Sequence, residues 1–227
     1  MDSIQNKIAV AIIGLFMCVS SISLAQSITT QDDSVSYALG VVYAKQLQQK
    51  GITEVDAKLV AQAMNDHMSG KGTLIDEKDS GDLMMLRMAQ IKKAKMDLAK
   101  DAGIKFLTEN AKRPEVKVTE SGLQYEIIRG GLGDQHPTLK NTVKTHYHGM
   151  LVDGTVFDSS VDRGQPISFP LGNVIKGWQE GLQLMKVGDK FKFYVPSDLA
   201  YGAQGAGQII APHSALIFEV ELLEIER

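Results

Sequence analysis

Five aromatic side chains that could form a binding site are spread over separate stretches of the second half of the chain: Tyr147, Phe157, Trp178, Tyr201 and Phe218. Aromatics drawn from strands, turns and loops can converge on one concave apolar site with a few polar tips. Large rings also fill ordinary cores, and that alternative stays open for each ring taken alone. Asp158, which directly follows Phe157, is the one acid placed among them. The pattern indicates a site that binds an apolar group away from water.

The same region lacks the parts needed for covalent catalysis. The only cysteine is Cys18, far from the aromatics, and the spacing supports no Ser-His-Asp arrangement. His146 and His148 lie two apart on a predicted strand, so both point to one face and could contact a metal. No third ligand is near them in sequence, which favours a structural or surface role. We predict neither a metal site nor a cofactor.

Four motifs of this region occur in a characteristic order. The first is Tyr-x-Gly-x-Leu-x-x-Gly-x-x-Phe-Asp-Ser-Ser from Tyr147, and the others are Val-Ile-x-Gly-Trp ending at Trp178, Ala-Tyr-Gly around Tyr201, and Ile-Ala-Pro-His ending at His213. In these motifs, residues 114–227 resemble the FKBP family of peptidyl-prolyl cis-trans isomerases. A weaker likeness, to dimeric periplasmic members of the Mip and FkpA group, extends back over the preceding residues.

The resemblance implies two sets of site residues. The implied catalytic set is Tyr147, Phe157, Asp158, Trp178, Tyr201 and Phe218. The implied substrate-binding set is Arg163, Ile167, Val174, Ile175, Ile209 and Ile210. Trp178 would form the floor beneath the proline ring, and Tyr201 and the backbone N–H of Ile175 would donate hydrogen bonds to substrate carbonyls. Asp158 would orient Tyr201 and polarise the site, and Arg163 would steady Asp158.

Two positions depart from the family pattern. Ile167 stands where many relatives carry an aromatic wall, which suggests a wider pocket there. Ala206 stands where some relatives carry a loop histidine, which puts tight binding of FKBP-directed macrolide inhibitors in question. The departure at Ala206 does not put the implied reaction in doubt. Isomerisation requires no nucleophile, because an apolar pocket that penalises the planar, more polar amide favours the twisted state of the bond before proline.

Composition and the N-terminal residues indicate which partners and which cellular location to expect. The chain has 227 residues, 44% hydrophobic and 22% charged, with a net charge of −3, so we expect no nucleic-acid partner. Residues 1–25 begin with a charged segment, continue with an apolar segment and end with small residues typical of a cleavage site. This pattern predicts a secretory signal and export to the periplasm. Two alternatives stay open. The apolar centre could anchor the chain, although it is shorter than the ~20 residues of a membrane span, or Cys18 could carry a lipid at the outer membrane.

Two short amphipathic helices are predicted within residues 26–75. Asp33 or Ser34 is the expected N-cap of the first, and Gly51 ends it. Such a pair cannot bury both apolar faces alone and requires either the rest of the chain or a second copy. The resemblance to the Mip and FkpA group implies that this module forms a homodimer.

A single long helix is predicted over residues 76–113, which contain no proline. Its lysines could suggest a nucleic-acid stripe, but Asp97 and Asp101 are interleaved with them, which favours a solvated face. Its methionines suit an interface, and methionine-rich surfaces can also adapt to varied clients. Gly103 is a weak point where we expect the helix to bend.

Alternating apolar residues replace the helical pattern after Pro114 and predict an antiparallel sheet with one short helix near Trp178. Leu123, Tyr125 and Ile127 are the expected inner face of the first strand. The fold class is therefore α+β. The resemblance implies more: an antiparallel half-barrel sheet wrapped round one short helix, preceded by an all-α dimerisation domain with a long stalk helix. The predicted function is isomerisation of proline-containing unfolded or nascent exported proteins. The alternatives are a client-binding chaperone with little catalysis, or a purely structural dimer.

Overall fold

The computed structural model describes residues 27–226 in two compact units, residues 27–57 and residues 58–226. The predicted signal and Cys18 lie outside the described residues. Within the part of the chain that the structure describes, no helix has both the length and the apolar character needed to cross a bilayer.

The first unit contains helix α1, Gln31–Gln49. Its N-cap is Thr30, so the expectation of Asp33 or Ser34 was wrong. The Thr30 hydroxyl accepts the N–H of Asp33, and the Asp33 carboxylate accepts the N–H of Thr30, which forms a reciprocal capping box. Gly51 follows the helix at φ 83°, as expected for a C-terminal glycine. No side chain of this helix is buried within the single chain.

Two further helices precede the sheet: α2, Ala57–Met68, and α3, Glu77–Asn110. Asp76 caps α3 by accepting the N–H of Asp79 at 2.7 Å. The helix is continuous through Gly103. Gly103 is buried because Ala215, just before the last strand, approaches it closely: an added Cβ would lie 3.0 Å from the Ala215 Cβ.

Seven antiparallel strands follow, and they confirm the predicted α+β class. The strands are β1 Lys117–Val118, β2 Gln124–Arg129, β3 Thr142–Leu151, β4 Val156–Ser159, β5 Ile167–Pro170, β6 Lys190–Val195 and β7 Leu216–Glu226. Their order is β1-β2-β6-β7-β3-β4, and β5 pairs with the start of β3. Helix α4, Lys176–Gln183, packs Trp178 and Leu182 into the core formed with the sheet. Gly181 permits this contact, since a Cβ there would lie 2.6 Å from the Phe193 ring.

The predicted inner face of the first strand is confirmed for Leu123, which is buried, and for Tyr125, which packs against the core, but not for Ile127. Gln124 and Glu126 are 6% and 9% exposed, whereas Ile127 is 49% exposed. The C-terminal end of α3 causes the difference, because it covers this face and supplies polar partners. The Asn110 amide donates to Gln124 at 2.9 Å, and Arg113 donates to Glu126 at 2.7 Å. Buried polar groups are tolerated where such partners exist.

Candidate active site

A cavity of about 370 Å³ opens where α4 meets the sheet, within the size range of small-ligand pockets. It brings together nine of the twelve predicted site residues. The lining residues are Tyr147, Phe157, Asp158, Ile167, Phe169, Asn173, Val174, Ile175, Trp178, Tyr201 and Phe218. The wall is mainly apolar, and the phenols and Asp158 provide its polar tips.

The indole of Trp178 lies at the centre of the aromatic wall. It meets Tyr147 edge-on at 5.2 Å between ring centroids, Phe218 edge-on at 5.1 Å, and Phe169 at a tilt at 5.4 Å. Phe157 in turn meets Phe218 edge-on at 5.5 Å. Each such pair adds about 0.5–1.5 kcal/mol beyond area burial. The Trp178 side chain is only 5% exposed, so these contacts fix the ring.

One side of the cavity is polar because β3 and β4 place Tyr147 and Asp158 on neighbouring strands. The Tyr147 hydroxyl donates to the Asp158 carboxylate, and the Arg163 guanidinium donates to the same carboxylate. Arg163 also donates to the Tyr147 hydroxyl at 3.0 Å, and its guanidinium carbon lies 5.8 Å from the Tyr147 ring centroid. These three groups form one connected network at the pocket mouth.

The network fixes the charge state of its members. Burial by itself raises the pKa of the Asp158 carboxyl, but donation from Tyr147 and Arg163 outweighs burial and lowers that pKa below its usual value. Burial, reinforced by the neighbouring carboxylate, raises the pKa of the Tyr147 phenol. Around neutral pH the site therefore contains an ionised Asp158 and a protonated Tyr147.

Of the two expected partners of Asp158, the structure places Arg163 on the carboxylate but not Tyr201. Asp158 bonds Tyr147 and Arg163, whereas the Tyr201 hydroxyl makes no hydrogen bond to any described residue. Tyr201 lines the cavity and is 40% exposed. Burial raises the pKa of its phenol, and the charge of Asp158 adds to this effect. The phenol of Tyr201 therefore remains a donor with a free proton beside the cavity.

Three predicted substrate-binding residues lie outside the cavity lining. Ile210 is 8% exposed and belongs to the core, paired with Ala206 by backbone hydrogen bonds of 2.9 and 3.1 Å. Ile209 is 49% exposed on the same loop. Arg163 acts from the rim through Asp158 and Tyr147. The two isoleucines are thus not among the residues that line the cavity.

Two lining residues were missed by the sequence analysis. Phe169 lies two residues after Ile167 on β5, so the two side chains share a face, and the Phe169 ring contacts Trp178. Strand periodicity alone could therefore have indicated it. Asn173 ends the short 3₁₀ turn Leu171–Asn173 before α4, where the sequence carries no comparable signal. The two histidines flanking Tyr147 bond serine hydroxyls, and residues 27–226 hold no group of three or more potential metal ligands.

Known proteins resemble this chain over most of its length. Residues 133–223 match the family model described as FKBP-type peptidyl-prolyl cis-trans isomerase, and residues 32–127 match the domain amino terminal to it. A probable FKBP-type peptidyl-prolyl cis-trans isomerase of Haemophilus influenzae is 40% identical over 234 residues, covering 97% of this chain and 96% of that protein. The chain belongs to the FKBP-type peptidyl-prolyl cis-trans isomerases.

Two further relatives span both parts of this FKBP-type isomerase. The outer membrane protein MIP of Legionella longbeachae is 39% identical over 233 residues, covering 98% of each protein. The crystal structure of FkpA from Escherichia coli is 33% identical, with a TM-score of 0.67 over 88% of this chain and 99% of that one. The enzyme therefore accelerates cis–trans interconversion of the peptide bond before proline, whose uncatalysed barrier is ~18–20 kcal/mol.

Proposed function

We propose that isomerisation takes place in the aromatic cavity and proceeds by desolvation, without a covalent intermediate. The planar amide before proline carries more charge separation than the twisted amide. A water-poor wall of aromatic rings therefore raises the free energy of the planar state more than that of the twisted state, which is the differential binding that catalysis requires. A rate gain of about 10⁴ corresponds to ~5.5 kcal/mol, which desolvation and a few hydrogen bonds can supply together.

The observation that carries this proposal is the pairing of an apolar floor with a polar rim. The rings of Trp178 and Phe218 would pack against the proline ring of the substrate, while Tyr201 and the backbone N–H of Ile175 would donate hydrogen bonds to substrate carbonyls. Ile175 is the N-cap residue of α4, and the positive end of the helix dipole favours an acceptor there. Asp158, fixed by Tyr147 and Arg163, provides a charge against which the twisted bond can be stabilised.

Refolding of a test protein limited by proline isomerisation provides the direct test. We expect the full chain to accelerate the slow refolding phase, and Phe157→Ala combined with Asp158→Ala to remove most of the acceleration. Circular dichroism of the double variant controls for its fold. An unchanged refolding rate with a correctly folded double variant would contradict the proposed site.

We further propose that the enzyme works on proline-containing segments of exported proteins. The layout of residues 1–25 supports export, and the name of the Legionella longbeachae relative places that protein at the outer membrane. Expression of the full chain with fractionation of the cells tests this. Recovery of the processed protein with the periplasm or the outer membrane would support export, and retention in the cytoplasm would refute it.

We also propose a homodimer formed through the N-terminal helices. On α1, Val35, Leu39 and Val42 are 53%, 49% and 51% exposed in the single chain, and a contiguous exposed apolar face of this kind marks an interaction surface. The match of residues 32–127 to the family's amino-terminal domain supports the same assignment. Sedimentation of the mature chain should give twice the monomer mass, and a monomer at high concentration would refute the dimer.

A second candidate function is client binding with little catalysis. The observation that favours it is a set of exposed methionines on α2 and α3, because flexible thioether side chains adapt to varied apolar partners. These residues are Met64, Met68, Met84 and Met85. Suppression of aggregation by the catalytically inactive double variant would support this function, whereas its loss together with isomerisation would favour the enzyme alone.

A further inference from the structure

The strand that carries Tyr147 has a second, outer face with its own hydrogen bonds. His146 and His148 flank Tyr147 on β3 and therefore point away from the cavity. The Nδ1 atom of His146 lies 3.0 Å from the Ser160 hydroxyl, and that of His148 lies 2.8 Å from the Ser159 hydroxyl. The two serines directly follow Asp158 and are 0% and 5% exposed, respectively. Both hydroxyls therefore have hydrogen-bond partners within the protein, as buried polar groups generally do.

Ser160 holds the backbone of Tyr147. Its hydroxyl accepts the N–H of Tyr147 at 2.8 Å, and its own backbone N–H donates to the Tyr147 carbonyl at 3.0 Å. The hydroxyl also lies 3.3 Å from the Tyr147 carbonyl oxygen, and the imidazole of His146, at 3.0 Å, is its third contact. This contact lies beyond the end of β4, at Ser159, so it extends the strand pairing past the site.

Ser159 holds the turn that supplies Arg163. Its hydroxyl accepts the N–H of Asp162 at 3.0 Å while it contacts His148. The next residue is Arg163, whose guanidinium bonds both Asp158 and the Tyr147 hydroxyl. The two imidazole–hydroxyl pairs therefore lie between β3, which carries Tyr147, and the segment after Asp158 that leads to Arg163.

We infer that Ser160 with His146, and Ser159 with His148, are positioning residues for isomerisation. They act through the network of Tyr147, Asp158 and Arg163 and do not themselves contact the substrate. The inference rests on the role proposed above for that network. Its physical basis is that a charge stabilises a transition state only when it is held in place before the reaction.

A double-mutant cycle on the full chain tests the inference. We expect Ser160→Ala to lower kcat/KM by about fivefold in the wild-type background, and by less than about twofold when Asp158→Ala has already removed the carboxylate. A merely structural effect would give the same factor in both backgrounds. His146→Ala, which leaves the backbone bonds of Ser160 intact, should show the same background dependence with a smaller factor.

The only tryptophan of the chain gives a spectroscopic readout of the same displacement. Trp178 meets the Tyr147 ring edge-on, so a shift of Tyr147 changes the emission of Trp178 in the folded protein. We expect Ser160→Ala to alter this emission well below the unfolding transition, and Ser160→Cys, which keeps the size and a weak donor, to restore it in part. Thr145→Val is the matched control. Its buried hydroxyl lies on the same strand and bonds no described residue, so emission and kcat/KM should stay unchanged.

The outcomes separate this inference from the proposed function. If Asp158→Ala lowers kcat/KM but Ser160→Ala and His146→Ala do not, the positioning role is overturned and the proposed site stands. Equal factors in both backgrounds also overturn it. If Asp158→Ala alone leaves kcat/KM unchanged, the proposed role of the carboxylate fails and the positioning role fails with it.

Discussion

The hydroxyl of Tyr147 donates a hydrogen bond to the carboxylate of Asp158 across strands β3 and β4. The register places Asp158 opposite Gly149, so the longer Tyr147 side chain reaches the acid diagonally over a position that has no side chain. The pair joins the apolar wall to the charged rim, because the same Tyr147 ring meets Trp178 edge-on. Packing and electrostatics of the cavity are thus linked through one residue.

The ionisation of Asp158 gives the first prediction. Its pKa is lowered in the folded protein, so the ionised carboxylate contributes stability that is present above the unfolded value, near 3.9, and lost as pH falls through the folded value. We expect the free energy of unfolding of the wild type to fall more steeply below about pH 4 than that of Asp158→Asn. Urea titrations from pH 3 to 7 measure this. If the free energy of unfolding falls equally steeply below pH 4 in both proteins, the ionised Asp158 is not stabilised by its partners.

Gly149 gives a second prediction, on the shape of the cavity. A Cβ at this position would lie 2.7 Å from the Phe157 ring and 3.1 Å from the Phe218 ring. Gly149→Ala should therefore displace both rings, cost about 1–3 kcal/mol of unfolding free energy, and lower kcat/KM. Gly130→Ala is the control, because nothing lies within 4 Å of its Cβ position. Equal changes in unfolding free energy and in kcat/KM for the two variants would mean that the rings can move aside without cost.

The aromatic wall was predictable because the rings stand in motifs whose order is specific. Trp178, Phe157 and Phe218 lie in the cavity as predicted. The partner of Asp158 was not predictable in the same way, since sequence order does not tell which of two tyrosines reaches an acid on the next strand. Strand register decides the matter, and it places Tyr147 there.

The orientation of β2 shows a second limit of sequence patterns. Alternation predicts which residues share a face, but it assigns the polar face to water. Here the end of α3 covers that face and satisfies Gln124 and Glu126 with hydrogen bonds from Asn110 and Arg113. Such long-range polar pairing leaves no periodic trace, so only the packed structure reveals it.

Gly103 gives a third prediction, on the attachment of α3 to the isomerase domain. A side chain there would press on Ala215, whose Cβ and backbone nitrogen lie 3.0 and 3.2 Å from the Cβ position. We expect Gly103→Val to lower the unfolding free energy by about 1–3 kcal/mol through overpacking.

Gly81 is the matched control on the same helix, since nothing lies within 4 Å of its Cβ position. Gly81→Ala should raise helix stability by about 1 kcal/mol. Thermal and urea unfolding of the full chain measure both variants. A neutral Gly103→Val would show that the contact with Ala215 adjusts without cost.

Tyr194 gives the last prediction, on alkaline stability. Its hydroxyl donates to Glu126 at 2.9 Å and accepts from Arg113 at 3.0 Å. Burial, aided by the Glu126 carboxylate and opposed by Arg113, raises the pKa of Tyr194 to about 12. The protonated phenol therefore contributes stability that is fully present below the unfolded value, near pH 10, and lost as pH rises towards 12.

We expect the free energy of unfolding to fall less steeply above pH 10 in Tyr194→Phe than in the wild type, because the variant has no phenol to ionise there. At neutral pH the same change should cost about 1–3 kcal/mol, because it removes the two hydrogen bonds of the hydroxyl while Arg113 and Glu126 still pair directly at 2.7 Å. Tyr125→Phe is the control. Its ring stacks on Phe191 at 5.7 Å and its hydroxyl bonds no described residue, so it should keep the wild-type alkaline limb. If the free energy of unfolding falls equally steeply above pH 10 in Tyr194→Phe and in the wild type, folding does not raise the pKa of this phenol.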